Sequence, residues 1–307
     1  MPETVHTAVV AASASKVYDL VADISQAVRF FGNVVHTALL ESTRDGDRVR
    51  RWIVDGDTIR VSEVARELDP AAGRIGFRHE TPPPGLAAVS GEWSFKASSD
   101  DRTEVRLRHE FTPAGEPPGA QQMLSDGAER QLAQLVKVAE QRQQLIDLEV
   151  FYEAQLLIDG DLDDVFDYFY RTDRWPETIP HCLSVDTRED QTGLQIVEMQ
   201  VRVPSGAVHT TKQARVCLPG DRIVWRQMGG LPPLDQALYG YTSFTQTNDG
   251  VLARAGQTEL LKPEAVAKRG WDVQQAKDHV AEVRGERNLG ALRSAQEFLN
   301  RRRDLVT

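Results

Sequence analysis

The sequence has only two cysteines and no long apolar run, and each absence excludes a class of protein. Cys182 and Cys217 show no pairing or metal-ligand spacing, which is typical of a reduced, cytoplasmic protein. No stretch of about 18 apolar residues is present, so the sequence predicts no membrane span. The first residues also lack the basic and apolar regions of a signal peptide.

Basic residues are too few for a nucleic-acid partner. The chain has 36 Lys and Arg against 46 Asp and Glu, a formal net charge of -10. Nucleic-acid binding needs a basic surface that neutralises phosphates, so this balance argues against it. The sequence shows no zinc-ligand spacing, no Gly-rich phosphate loop after a strand and no Gly-x-Ser-x-Gly elbow. It therefore predicts no bound metal, no nucleotide and no serine-hydrolase chemistry.

What the 307 residues do contain is an internal repeat. Three patches recur in order, 148 or 149 positions later: residues 16–21 as 164–169, residues 65–66 as 214–215, and residues 74–78 as 222–226. Chance does not keep three patches in register across half a chain. The repeat predicts a duplicated domain, with an N-terminal copy at residues 1–147 and a C-terminal copy at 148–307.

Each half has the same order of local patterns. An extended run comes first (residues 5–11 and 152–158), and a short helix pattern follows it. Alternating runs separated by turn residues then predict a series of strands. A long amphipathic helix closes each half. This order predicts an α+β fold in which an antiparallel sheet wraps around the long C-terminal helix and leaves an interior pocket.

With these features, the chain resembles the di-domain aromatase/cyclases of bacterial type II polyketide synthases, built from two START-like (birch-allergen-like) helix-grip domains. The resemblance covers almost the whole chain. It depends on the opening of each half, the Trp175-Pro176-Glu177 turn, the positions of Arg66 and Arg215, and the closing helices. The duplicated order makes the match more specific than any one of these features.

The resemblance implies a reaction on a linear poly-β-ketone that is bound to an acyl carrier protein, among other type II polyketide synthase subunits. An aldol bond between the seventh and twelfth carbons closes the first ring, and loss of water makes it aromatic. No cofactor is implied, because the β-ketone hydrogens are already acidic. The protein must position one fold of the chain and stabilise an oxyanion. Chain length and prior reduction of the ninth-carbon ketone stay open.

The family places an arginine of a central strand in the pocket, which here implies catalytic roles for Arg66 and Arg215. His109 is a third catalytic candidate, because strand alternation puts it on one face with Leu107 and Phe111. A satisfied core histidine and a surface arginine are the structural alternatives. Predicted substrate-binding residues are those that line or close the two pockets: His36, Trp93, Phe31, Trp175, Tyr241 and Gln257.

The two halves differ at these positions. Gln257 takes the place of His109, and a glutamine cannot transfer protons, so we expect the N-terminal pocket to carry the acid–base chemistry. Against this, only the second half has the family's Trp175-Pro176-Glu177 turn. The rival interpretation of the whole chain is a non-catalytic START-like protein that binds a lipid or polyketide, because one fold can serve both functions.

Overall fold

The structure is a computed structural model of the chain, and it describes residues 2–115, 119–179, 181–203 and 206–304. Contacts divide the chain into two compact units. The first comprises residues up to Ile53 together with Arg60–Gln144; the second comprises Val54–Ile59 together with the residues from Leu145 onward. Within the described ranges, no helix is long and apolar enough to cross a membrane.

The first half follows the predicted order of elements. They are β1 (Glu3–Val10), α1 (Ala14–Ala22), α2 (Ser25–Phe30), β2 (Val34–Ser42), β3 (Gly46–Asp55), β4 (Thr58–Asp69), β5 (Arg74–His79), β6 (Leu86–Ser99), β7 (Arg102–Pro113) and α3 (Ala120–Asp147). The seven strands form one sheet in the order β1-β7-β6-β5-β4-β3-β2. Residue 147, where the sequence predicts the first domain to end, is the last residue of α3.

The second half repeats this arrangement. Its elements are β8 (Glu149–Ile158), α4 (Leu162–Tyr170), a 3-10 turn (Thr172–Arg174), α5 (Trp175–Thr178), β9 (Cys182–Gln191), β10 (Leu194–Arg202), β11 (Val208–Leu218), β12 (Arg222–Gly229), β13 (Asp235–Thr247), β14 (Gly250–Leu261), α6 (Pro263–Lys268) and α7 (Val273–Asp304). The sheet order is β8-β14-β13-β12-β11-β10-β9, which is the order of the first sheet. The predicted α+β fold, two antiparallel sheets each with a long helix, is confirmed.

The strands form because their residues alternate between a buried and an exposed face. In β7 every second residue from Thr103 to Phe111 is buried, His109 among them, and the residues between them are exposed or half-buried. The long helix α3 buries an apolar stripe from Leu124 to Val138. Leu124 packs against Phe111, so the helix covers the inner face of the sheet.

The second long helix, α7, packs differently along its length. Its buried residues fall into two groups, Ala276 and Val280 near its start and Leu292, Ala295 and Leu299 near its end. These groups belong to two separate apolar clusters of the second half. Polar side chains occupy the inner positions between the two clusters. The core of the second half is therefore interrupted at its centre.

The absence of a side chain at Gly91 allows the Phe77 ring and the backbone of Arg108 to lie close to it. A Cβ atom built on Gly91 would lie 2.1 Å from the backbone oxygen of Arg108 and 2.5 Å from Cζ of Phe77. Gly91 stands opposite His109 in the register. The missing side chain thus gives the Phe77 ring its place beside that histidine.

We expect Gly91→Ala to destabilise the first half by about 1–3 kcal/mol, because the strand or the Phe77 ring must move. The matched control is Gly127→Ala in α3, where a Cβ would meet nothing within 4 Å. That change should stabilise the protein by up to about 1 kcal/mol, since alanine favours a helix. Thermal denaturation of both variants measures the difference. Equal denaturation midpoints would contradict the assigned packing.

Candidate active site

Arg66 reaches inward from β4 and binds the end of α1. Its Nη1 donates to the carbonyl of Val21 at 2.9 Å and its Nη2 to that of Ala22 at 2.8 Å. Nε and Nη2 also donate to the two carboxylate oxygens of Asp47, at 2.7 and 2.6 Å. Both side chains of this ion pair are about one-tenth exposed. Four bonds to the protein leave this guanidinium little capacity for a developing oxyanion.

Arg215 repeats this contact in the second half with one change. Its Nη2 donates to the carbonyl of Phe169 in α4 at 2.6 Å, and its Nη1 donates to Oε1 of Gln195 at 2.7 Å. Gln195 follows Asp47 by 148 positions, so a neutral amide replaces the carboxylate. The Trp175 ring covers the guanidinium at 5.0 Å, and burial lowers the pKa of Arg215. Trp175 thus contacts an arginine, as a wall residue of this half.

The inner face of the first half carries a second, unpredicted arginine. Arg51 on β3 lies two residues after Val49 and four after Asp47, so its side chain points to the same inward face. The residue is half-buried. Its Nε is buried without a hydrogen-bond partner, and within the described residues it has no ion-pair partner. Burial lowers its pKa to about 10, and the guanidinium of Arg66 adds to this effect. Arg51 is therefore an enclosed positive charge with no carboxylate beside it.

Two imidazoles lie on the same inner face. His109 is 6% exposed, its Nδ1 has no partner among the described residues, and its ring centroid lies 5.4 Å from that of Phe77. His79, the last residue of β5, lies 6.0 Å from Phe77 on ring centroids. Burial lowers the pKa of His109 to about 4 and that of His79 to about 3. Both rings are thus neutral at pH 7 and can accept a proton.

Trp93 and Phe77 give the site its flat walls. Trp93 stands opposite Ile75 and Leu107, which are 1% and 0% exposed, so it faces inward. It stacks on Phe95 with ring centroids 6.3 Å apart. Both Trp93 and Phe77 face inward yet remain half-buried, which indicates a hollow between sheet and helix. Trp93 faces that hollow, and its substrate-binding role stays a prediction.

The structure corrects the placement of His36. A bulge between Val34 and His36 sets His36 opposite Trp52, and their ring centroids lie 5.1 Å apart. Trp52 alternates with inward-facing Arg51, and Arg50 lies over it at 5.9 Å. Since Arg50 bonds to Glu63 on the outer face, His36 also belongs to that outer face and does not reach the cavity. Phe31 follows α2 directly and is half-buried.

Tyr241 is likewise corrected. It stands opposite Gly256, and its hydroxyl donates to the exposed carboxylate of Glu153 on the outer face of the sheet. The position that corresponds to Trp93 is Thr242, because both lie opposite an isoleucine of the preceding strand. Strand β13 has a bulge near its start. Strand β6 has the same bulge, between Leu86 and Ala88, so the repeat offset in this strand is 149, and Tyr241, at an offset of 148 from Trp93, lies on the opposite face.

The interior of the second half differs in chemistry from the first. Met199, Gln227 and Gln257 follow Arg51, His79 and His109 by 148 positions. The strand register supports the correspondence of His79 and Gln227. His79 lies opposite Val64 in the first sheet, and Gln227 lies opposite Gln213 in the equivalent pair of strands of the second. None of these three replacements can carry a positive charge or transfer a proton at neutral pH.

In place of a basic cavity, the second half buries two carboxyl groups. Asp235 and Glu259 are both 0% exposed. Oε1 of Glu259 accepts hydrogen bonds from Tyr152 at 2.5 Å and Gln257 at 2.9 Å, and Nε of Arg284 lies 3.3 Å away. Burial raises the pKa of Asp235 to about 8, and the negative charge of Glu259 adds to this increase. Gln257 thus belongs to this internal network and is 8% exposed.

Comparisons with known proteins agree with this geometry. The family model described as polyketide cyclase / dehydrase and lipid transport matches residues 1–140. The actinorhodin polyketide synthase bifunctional cyclase/dehydratase of Streptomyces coelicolor is 32% identical to this chain, and the match covers 95% of both proteins. The granaticin counterpart of Streptomyces violaceoruber is 30% identical over 96% of this chain and 94% of its own. The chain belongs to the polyketide cyclase/dehydratase family.

Solved structures place it among the two-domain members. The di-domain ARO/CYC StfQ from the steffimycin biosynthetic pathway is 33% identical, with a TM-score of 0.86 over 98% of this chain and 99% of that chain. The di-domain ARO/CYC BexL from the BE-7585A pathway is 31% identical, with a TM-score of 0.85 over 97% and 98%. The predicted resemblance is confirmed, and this cyclase/dehydratase is an enzyme of a polyketide synthase system rather than a passive carrier.

The arginine that binds α1 gives a direct test of its role. Removing it with Arg66→Ala leaves the Asp47 carboxylate and two helix carbonyls without their donors. We expect a loss of about 3–5 kcal/mol in the free energy of unfolding. The control is Arg48→Ala, whose partly exposed pair with Glu80 on the outer face should contribute about 1 kcal/mol or less. Denaturant titration compares the two; an Arg66→Ala protein as stable as Arg48→Ala would refute the structural role.

The buried acid pair predicts how stability depends on pH. Because the pKa of Asp235 is raised in the folded state, its stabilising contribution is complete below its unfolded value and is lost as pH rises through about 8. We therefore expect the denaturation temperature to fall between pH 6 and pH 9, and Asp235→Asn to flatten that decline. The control is Asp249→Asn at an exposed turn, which should keep the wild-type slope. Parallel slopes for all three proteins would exclude a protonated Asp235.

Proposed function

We propose that this enzyme closes the first ring of a carrier-bound poly-β-ketone by an aldol bond between the seventh and twelfth carbons, and that the N-terminal cavity performs the step. Relatives that are named polyketide synthase cyclase/dehydratases support the reaction class. The observation that carries the assignment to the N-terminal half is Arg51, an enclosed guanidinium without a counter-ion on the same inner face that carries neutral His109. We further propose an acyl carrier protein as the substrate's carrier and the cytoplasm as its location.

Ring closure requires that one methylene lose a proton. A neutral imidazole can accept it, and His109 on the inner face is neutral because burial disfavours the imidazolium. The electrons then move to the neighbouring carbonyl oxygen, which becomes an enolate. The enolate carbon attacks the second carbonyl, and the alkoxide formed there takes the proton back from His109, which is neutral again. An enclosed guanidinium stabilises the enolate oxygen strongly, since little water competes with it. Arg51 and His109 therefore supply complementary halves of one step.

The substrate must also adopt one fold among many. Trp93 and Phe77 are flat, inward-facing and half-buried, which suits the planar enolised segments of a poly-β-ketone. Holding two distant carbons together makes the reaction intramolecular and lowers its entropic barrier. In this proposal the seventh and twelfth carbons meet where these rings limit the width of the cavity.

In this proposal Arg66 and Arg215 serve the chemistry indirectly. Each binds the carbonyl end of a short helix and so holds the helix that borders the interior. Arg215 keeps more capacity for a ligand than Arg66, because its partner Gln195 is neutral. The C-terminal half then contributes substrate handling and stability, with an interior in which Met199 and Gln257 replace Arg51 and His109.

The test replaces Arg51 with methionine, because Met199 occupies the equivalent position of the second half. Arg51→Met should fold normally and lose about a hundredfold or more of the ring-closing rate, because one donor to the enolate is gone. Reconstitution with a minimal polyketide synthase and its carrier protein, with and without a ketoreductase, measures the product with the seventh-to-twelfth-carbon ring against misfolded shunt products.

Arg50→Met is the matched control, since Arg50 is the next residue along β3 and bonds to Glu63 on the outer face. It should keep wild-type product ratios. If Arg51→Met closes the ring at the wild-type rate, or if the first ring forms between other carbons, the proposed function is wrong.

A further inference from the structure

Ring closure and aromatisation place two different demands on proton transfer. Aldol closure removes a proton from carbon, whereas water loss must deliver a proton to a hydroxyl oxygen on a neighbouring carbon. A single imidazole has to release its first proton before it can serve elsewhere. The proposed function assigns only His109, so the hydroxyl still lacks a proton donor.

His79 has the geometry of a second proton carrier. It lies opposite Val64, which is 3% exposed, so its ring faces inward from the end of β5. Its Nδ1 is 3.5 Å from the hydroxyl oxygen of Ser62, a residue that is 0% exposed. This contact favours one orientation of the imidazole. His79 itself remains half-buried and so can contact a ligand.

The two imidazoles stand on either side of Phe77. Both meet its ring edge-on, at interplanar angles of 82° for His79 and 68° for His109. With the Phe77 ring as spacer, each imidazole can address its own atom of a substrate. Two separated proton carriers are what an elimination from neighbouring atoms requires.

His79 also borders an outer depression. This hollow of about 440 Å³ is lined by His79 together with Pro82, Ala88 and Ser90. His79 therefore belongs both to the inner face and to a wall that water can reach. His109, at 6% exposure, does not line this depression. A proton from solvent can reach the interior through His79.

We propose that His79 delivers the proton that turns the departing hydroxyl into water. In this step the carbon–oxygen bond breaks and the ring double bond forms. The proton from carbon passes to His109, while a solvent proton passes through His79 to the leaving oxygen. His79 is neutral before and after. This proposal rests on the proposed function of the N-terminal cavity.

The charges around His79 suit such a relay. The guanidinium groups of Arg51 and Arg60 face the ring from β3 and β4, and His109 faces it from β7. With no carboxylate among these neighbours, an imidazolium formed here is a strong acid. It will pass its proton on as soon as an oxygen beside it gains negative charge.

The chain itself offers the matched substitution. Gln227 occupies the position of His79 in the second half, and its amide donates to the backbone carbonyls of Gly229 and Gly230 at the end of its own strand. His79→Gln therefore introduces a side chain that this strand position already accommodates. Likewise, His109→Gln copies Gln257. His36→Gln on the outer face serves as the control.

In the reconstituted system we expect His79→Gln to close the ring and to lower water loss by about a hundredfold, so that a product heavier by one water accumulates. His109→Gln should prevent ring closure, and His36→Gln should behave as wild type. Mass spectrometry of the products distinguishes the three results. A purely structural role is tested with His79→Ala, where added imidazole can enter from the depression and should restore water loss.

Each other result has a definite meaning. Wild-type aromatisation by His79→Gln overturns the relay and leaves the proposed function standing. Loss of ring closure and water loss in equal proportion, with no rescue by imidazole, also overturns it. If neither His109→Gln nor Arg51→Met affects ring closure, the proposed function itself fails, and the relay fails with it.

Discussion

In both halves an arginine of a central strand binds the last carbonyls of the first short helix. Those carbonyls have no partner within the helix, and they carry the negative end of its dipole, so a guanidinium is well suited to them. The bond joins the inner face of the sheet to the helix that borders it, over 45 residues of chain in the first half. In each half this contact fixes the end of the first short helix against the sheet.

The duplication preserves that contact and changes what surrounds it. Arg66 is neutralised by Asp47, whereas Arg215 bonds to the amide of Gln195. Where the first half encloses the positive charge of Arg51, the second has the thioether Met199. One copy thus retains a positive charge with no carboxylate beside it, and the other replaces that charge with a neutral side chain.

Uncompensated charge in a closed site is costly to folding, and it persists where a ligand or transition state uses it. The first half shows this in Arg51, whose buried Nε has no partner. The second half instead buries two carboxyl groups beside Arg284, and burial raises the pKa of one of them, Asp235. A polyketide cyclase/dehydratase with two unlike interiors can separate chemistry from substrate handling within a single chain.

The repeat, the order of elements, the antiparallel sheets and the inward position of His109 were all predictable from the sequence, because periodicity and turn residues are local signals. The inward orientation of Trp93 was predictable for the same reason. Arg51 follows Arg50 in a strand rich in charged residues and resembles any surface arginine of an edge-proximal strand, and His79 ends a strand next to a turn, so neither had a signal of its own. His36 was misplaced by a bulge, and Tyr241 by a repeat offset that is 149 rather than 148 in its strand, since a shift of one residue turns a side chain to the other face. Which arginine is neutralised, and which has no carboxylate beside it, was decided only by the tertiary structure, because Asp47 meets Arg66 across 19 residues of sequence and only the strand register brings them together.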